Sequence, residues 1–148
     1  MVRSLKGKHP NYYEAILQLR DISQTVLEYV DKQRDRVVVT KIVKVKNGYD
    51  YFLADNIQGR QLSRQLQARF GGEVLITSSL HTAKDSKELY RTTILFRESP
   101  FRKGDVVEYQ GEEFVVKGLI KDIFLQNKKT GKKIHVKYKE MKRIKAIS

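Results

Sequence analysis

The hydrophobic pattern changes character once along the chain, at Glu98-Ser99-Pro100, and that change limits the fold more than any other feature. Before it, runs of period two alternate with stripes of helical spacing; after it only short period-two runs remain. From Tyr12 to Arg20, YYEAILQLR puts Tyr13, Ala15, Leu17 and Leu19 on one side and Glu14, Gln18 and Arg20 on the other, as in a half-buried strand. Asp21 stands where a helix cap belongs, with Gln24 at capping-box spacing. Ile22, Val26, Tyr29 and Val30 then form one helical stripe, ended by the charged run DKQRDR. Two β-branched and aromatic runs flank Asn47-Gly48, a dipeptide that accepts positive φ in a two-residue hairpin. Asp55 and Gln58 repeat the capping spacing, and Ile57, Leu62, Leu66 and Phe70 mark the buried side of a second helix that stops at Gly71-Gly72. EVLITSSLHT and ELYRTTILFRE read as a last hairpin, with Tyr90, Thr92, Ile94 and Phe96 on one face. The order β-α-β-β-α-β-β predicts an α+β sandwich, helices against one antiparallel sheet, over residues 11–98.

Past the boundary, DVVEY, EEFVVKGLI, DIFLQN and KKIHVKY are short strands separated by Gln110-Gly111 and Lys128-Lys129-Thr130-Gly131. Short strands with frequent turn signals predict a small β-barrel over residues 101–148. No repeat relates the two halves.

The charge narrows the partners. The chain of 148 residues carries 30 Lys+Arg against 17 Asp+Glu, a formal charge of +13, with 40% hydrophobic residues. That supports a folded core and a polyanionic partner, nucleic acid or an anionic membrane. No apolar run reaches the roughly 18 residues that cross a bilayer, and MVRSLKGKHPN has no apolar stretch behind its charges, so neither a spanning helix nor a secretory signal is predicted. Zero cysteines exclude a disulfide framework and a thiolate zinc site, and fit a cytoplasmic, reducing compartment.

The positive charge is densest after residue 100, where 13 Lys+Arg face 6 Asp+Glu. There Lys133, His135 and Lys137 alternate with Ile134, Val136 and Tyr138, which leaves the basic set exposed on one strand face. Lys128, Lys129 and Lys132 cluster at the adjoining turn, and Lys139, Lys142, Arg143 and Lys145 follow. Few acids interrupt this edge, and it is the candidate phosphate-binding surface. Arg60 and Arg64, one helical turn apart, and the nearby Arg69 form a second, smaller group. The plain alternative is solvated surface charge, as lysine-rich chains commonly carry.

Catalytic patterns are weak. His9, His81 and His135 are far apart and lack a Cys partner. Ser79, His81 and Asp85 hold triad letters within seven residues, with no strained elbow to make them a triad. Gly71-Gly72 lacks the Gly-Lys-Ser/Thr of a phosphate loop, and no metal or cofactor site is predicted. Asp31, Asp35 and Glu112 would serve a metal-dependent nuclease only if folding brought them together. Tyr13, Tyr29 and Tyr90 read as core. Tyr49 and Tyr51 share one side of a strand, to pack under a helix or to stack on a base, and packing is the favoured reading.

YYEAILQLR, the hairpin ending NGYDYFLAD, the following helix, LYRTTILFRE and FRKGDVVEY resemble, in order, the middle of the 60S ribosomal export adaptor family, the nonsense-mediated-decay protein three family, in its archaeal branch. The resemblance spans roughly residues 11–140. It implies a ribosomal-protein-like α+β domain, then an SH3-like barrel resembling part of translation factor five A. It further implies a non-catalytic adaptor that binds the large ribosomal subunit and its rRNA in biogenesis or quality control, alongside ribosomal proteins and other assembly factors. Family members begin with paired Cys-x-x-Cys zinc ribbons, which a chain without cysteine lacks, so the sequence reads as a truncated form, a split gene or a reduced paralogue. Two other readings stay open: a stand-alone RNA-binding translation module, and the nuclease.

Overall fold

The computed structural model describes residues 12–82 and 88–147, and the side chains among them except at 80–82, 88 and 89. His9, Asp85 and the segment MVRSLKGKHPN lie outside the described residues, as does the side chain of His81. The described chain divides into two compact units, 12–65 with 74–97 and 66–73 with 98–147. Its strands form two mostly antiparallel five-stranded sheets, so the protein is α+β.

The first sheet has the order β2-β3-β1-β5-β4, with β1 at Ala15–Arg20, β2 at Val39–Val45, β3 at Gly48–Leu53, β4 at Gly72–Thr82 and β5 at Glu88–Glu98. Strand β1 is central. It pairs antiparallel with β3, Leu17 opposite Tyr51, and parallel with β5, Leu17 opposite Ile94. The sheet is therefore mixed, which corrects the expected all-antiparallel arrangement. Strand β5 reaches β1 only after the long connection through α2 and β4, which allows the parallel pairing that a tight hairpin cannot give. Ala15, Leu17, Leu19, Tyr51, Leu53, Ile94 and Phe96 are buried on one face. Gly59 lets a helix close on that face, because a Cβ there would lie 3.2–3.3 Å from side-chain atoms of Ile94, Leu53 and Ala15.

Helix α1 covers Gln24–Lys32 and helix α2 covers Asn56–Phe70. The cap of α1 is Ser23, whose hydroxyl accepts from Val26 N at 3.3 Å. Asp21 instead takes a left-handed backbone (φ 50°) and pairs with Arg97, so the cap lies two residues later than the spacing predicts. Asp55 does cap α2, its Oδ1 accepting from Ile57 N at 2.7 Å and Gln58 N at 3.1 Å. Glu14 adds to this end, accepting from Asn56 N at 3.1 Å and from the Tyr12 hydroxyl at 2.6 Å. It is buried rather than on the solvent side, because a carboxylate is well placed against a helix N-terminus. Two further expectations fail at element ends: Ile57 is 67% exposed in the first turn of α2, and Tyr90 is 52% exposed near the start of β5. Helix stripes and strand faces lose their burial where the element outruns the layer above it.

The β2–β3 hairpin forms, but its turn residues are Lys46 and Asn47, since Val45 pairs with Gly48. Gly48 is needed for another reason. A Cβ there would sit 1.7 Å from the Leu19 carbonyl oxygen, so only glycine lets β3 approach β1 at this point. A hairpin turn with two positive-φ residues lies in the other unit, at Gln110 (53°) and Gly111 (79°), between β6 and β7.

The second sheet runs β10-β6-β7-β8-β9, with β6 at Val106–Tyr109, β7 at Glu112–Leu119, β8 at Ile123–Asn127, β9 at Lys133–Val136 and β10 at Lys145–Ala146. One 3-10 segment, Tyr138–Arg143, joins β9 to β10. Phe101, Val107, Phe114, Val116, Ile123, Leu125, Val136, Tyr138, Met141 and Ile144 form a single buried cluster. The hydrogen-bonded ladder is open, ending in β10 on one side and β9 on the other, so it does not close into the expected barrel. Strand β10, only two residues long, supplies no further pairing with which to close it.

Candidate nucleic-acid interface

The lysine turn is built by a residue the charge pattern concealed. Asn127, the last residue of β8, is 6% exposed, and its Oδ1 accepts from Lys129 N at 2.8 Å and Thr130 N at 3.0 Å. Its backbone N–H donates to the Lys132 carbonyl (2.8 Å), and its carbonyl accepts from Gly131 N (2.9 Å). Gly131 takes φ of 73°, Gln126 Nε2 donates to its carbonyl (3.1 Å), and Thr130 Oγ1 accepts from Lys132 N (3.2 Å). With its backbone groups satisfied locally, the turn holds one shape and turns Lys128, Lys129 and Lys132 outward, all exposed. An Asn just before a basic turn was the available signal.

Strand β9 continues the surface. Lys133, His135 and Lys137 are exposed, whereas Val136 and Tyr138 are buried. Packing of Tyr138, Met141 and Ile144 into the core turns Lys139, Lys142 and Arg143 outward along the 3-10 segment. Burial pushes the Tyr138 phenol up to about 12; a Gly72 backbone hydrogen bond opposes the rise and Asp122 adds to it.

Acids do reach this edge, against the expectation that few would. Glu113 on β7 meets Lys128 at 3.5 Å, because β7 pairs with β8 and brings Lys128 N within 3.0 Å of the Glu113 carbonyl. Asp122 lies 3.0 Å from His135 Nδ1, and Glu140 lies 3.0 Å from Arg143. These contacts are solvent-exposed and each contributes little. Among the described residues Lys132, Lys133, Lys137, Lys139 and Lys142 make no ion pair.

The arginines of the smaller group are deployed differently. Arg60 donates to Asn56 Oδ1 (3.2 Å) and to Ser78 Oγ (3.1 Å), which ties it across to β4. Arg64 is exposed on α2, and Arg69 is 5.9 Å from the Phe70 ring centroid. Arg60 and Arg64 belong to the first unit and the lysine turn to the second.

The aromatic candidates resolve into packing. Tyr51 is 2% exposed and donates to Asp31 Oδ1 at 2.6 Å; burial, then this bond, push its phenol well above the usual tyrosine range. Tyr49 sits edge-on to it at 6.5 Å. Asp31 is thus engaged by a buried phenol, Asp35 approaches Arg36 at 3.9 Å, and Glu112 lies in the second unit. Among the described residues no three His, Asp or Glu gather as a metal site would require. No described helix is long and apolar enough to cross a membrane.

Residues 12–97 match the family model described as NMD3, second domain. The chain belongs to the NMD3 family. At the family level this goes with a ribosomal-subunit-associated adaptor role, with the large subunit as the general partner. No curated protein matches the chain.

Proposed function

We propose that this NMD3-family chain is a non-catalytic, cytoplasmic adaptor of archaeal type that holds the large ribosomal subunit through its rRNA, in biogenesis or quality control. Its first domain, residues 11–98, is read as ribosomal-protein-like. Its second, residues 101–148, is read as an SH3-like fold akin to part of translation factor five A, with an open rather than closed ladder. Ribosomal proteins and other assembly factors are the further partners that this role brings.

The observation that carries the reading is the lysine turn. Its backbone is fixed by a buried Asn127, and beside it Lys132, Lys133 and Lys137 are exposed without acid partners. Preordered cations on a rigid edge suit phosphates, since binding need not first order the loop. Each phosphate neutralised contributes roughly 0.7–0.9 to the slope of log K against log salt. Replacing Lys128, Lys129, Lys132 and Lys133 with Ala should leave the fold intact, shallow that slope, and reduce affinity for structured rRNA by about ten-fold or more at low salt. A titration at three salt concentrations measures it. Equal slopes for the two proteins would place the RNA-binding face elsewhere. Co-sedimentation with large subunits separates the adaptor from a stand-alone RNA-binding module, and chelator-sensitive RNA cleavage would revive the nuclease.

A further inference from the structure

The outward face of the second sheet carries a feature that its charge does not explain. Phe124 on β8 lies between His135 on β9 and Gly118 on β7 in the strand register. On one side, the Phe124 and His135 rings stand 4.5 Å apart, tilted by 46°. His135 is steadied there by Asp122 at 3.0 Å, yet its side chain is 61% exposed. On the other side position 118 has no side chain to lay over the half-buried Phe124, and a Cβ there would come within 3.9 Å of Phe124 Cβ. A bulge between Val116 and Gly118 turns Lys117 outward beside this opening. Lys121, between β7 and β8, and Lys133 and Lys137, two residues either side of His135 and so across β8 from the opening, are also exposed, and none of these four lysines has an ion-pair partner among the described residues.

The first unit supplies the contrast. There Tyr13 and Phe52 pack edge to face at 4.9 Å, but Arg91 lies 4.4 Å over Tyr13 and Lys41 5.3 Å over Phe52. Those rings are already stacked by cations of their own chain. Phe124 is not.

We propose that the gap over Gly118 is a slot for one unpaired nucleobase of rRNA, stacked on Phe124, with the flanking phosphates on the lysine rim. The space left by the missing side chain is one strand spacing, about 4.8 Å, which admits a planar ring standing on edge against Phe124. The lysines near it are cationic and the nearby Asp122 is engaged with His135, so a phosphate-bearing polyanion suits this face. Stacking on an aromatic side chain tolerates any base, and therefore adds affinity for single strands without a sequence code. The inference rests on the RNA-binding reading and adds to it a preference for unpaired RNA.

The test uses the full chain and a single-stranded RNA oligonucleotide carrying 2-aminopurine, whose fluorescence is quenched on stacking. Phe124→Leu keeps an apolar side chain but removes the ring. Gly118→Val fills the gap at a position whose backbone is not in the left-handed region, so a β-branched residue is tolerated. Both variants should bind the oligonucleotide about ten-fold more weakly and lose quenching, with an unchanged salt slope. The four-lysine variant should do the reverse, with a shallower slope and quenching retained at saturation. A wild-type protein that binds no RNA at low salt sinks the adaptor reading and the slot together. RNA binding with a normal slope that neither slot variant alters overturns the slot alone. So does a wild-type protein that binds duplex and single strand equally. Variants that bind RNA normally but fail to co-sediment with large subunits would assign the slot to a protein partner, and that also overturns the proposal.

Discussion

The two units use their positive charge in opposite ways. In the first, four guanidinium groups are structural, although Arg34, Arg36 and Arg64 stay exposed: Arg20 bonds Asp50 at 2.7 Å and the Leu19 and Tyr49 carbonyls at 3.1 Å, Arg97 pairs with Asp21, Arg60 reaches Ser78, and Arg91 covers Tyr13. In the second, most cations point to solvent without partners, and eleven of the thirteen in residues 101–148 are lysines. Arginine's planar fork suits fixed, multi-point bonding inside a sheet, whereas lysine's compact ammonium on a flexible stem suits a surface that meets phosphates. Equal-looking charge in a sequence thus divides into cations that hold the fold and cations that are left for a partner.

The contrast breaks first at Gly48. Gly48→Ala should cost about 4 kcal/mol or more, because the Cβ would overlap the Leu19 carbonyl and β3 must leave β1. Urea denaturation measures this, and a loss below 1 kcal/mol would mean the strands can part cheaply. Next, Arg20→Ala should destabilise by about 2 kcal/mol, since Asp50, only 19% exposed, loses its partner and two carbonyls lose a donor. The four-lysine variant should show the mirror image, with stability within about 0.5 kcal/mol of wild type and RNA affinity lost. If Arg20→Ala weakened RNA binding as much as it weakened the fold, the division of roles would collapse.

Tyr138 sharpens the comparison by pH. Burial raises its phenol from near 10 to about 12 in the folded protein, so between those values the unfolded state holds fewer protons than the folded one. The stability this contributes is complete below pH 10 and is lost as pH rises towards 12, on the order of 1–2 kcal/mol. Tyr138→Phe should flatten that decline in denaturation profiles recorded from pH 9 to 12; an unchanged decline would assign it to other groups. The smallest effect is expected for Arg60→Ala with Arg64→Ala, about two-fold or less in RNA affinity, because Arg60 is already bonded to Asn56 and Ser78. A loss matching the four-lysine variant would move the binding face to α2.

The periodic parts of the fold were legible in the residues alone. Leu17, Leu19, Ile94 and Phe96 are buried as their alternation requires, because a strand with one solvated face has no other way to hide them. The parallel pairing of β1 with β5 was not legible, since period two is the same for either direction of a neighbour. Gly48 was read for turn chemistry when a neighbouring carbonyl decides it, a contact that only register reveals. The exposure of Lys133 and Lys137 follows from the alternation around Val136, whereas Asn127's hold on the turn that carries Lys132 and the gap beside Phe124 depend on which strands become neighbours.

Strand β1 is the first of the described strands to be made and the one that both inner neighbours must flank. Its β3 edge can be covered once residue 53 has been synthesised, but its β5 edge waits for residues 92–97. Any nascent or cleaved form that ends between those points carries Ile16, Leu17 and Leu19 on a strand with one bare backbone edge, open to pairing with another chain. The order of synthesis therefore makes the last strand of this sheet its guard against aggregation as well as part of its core.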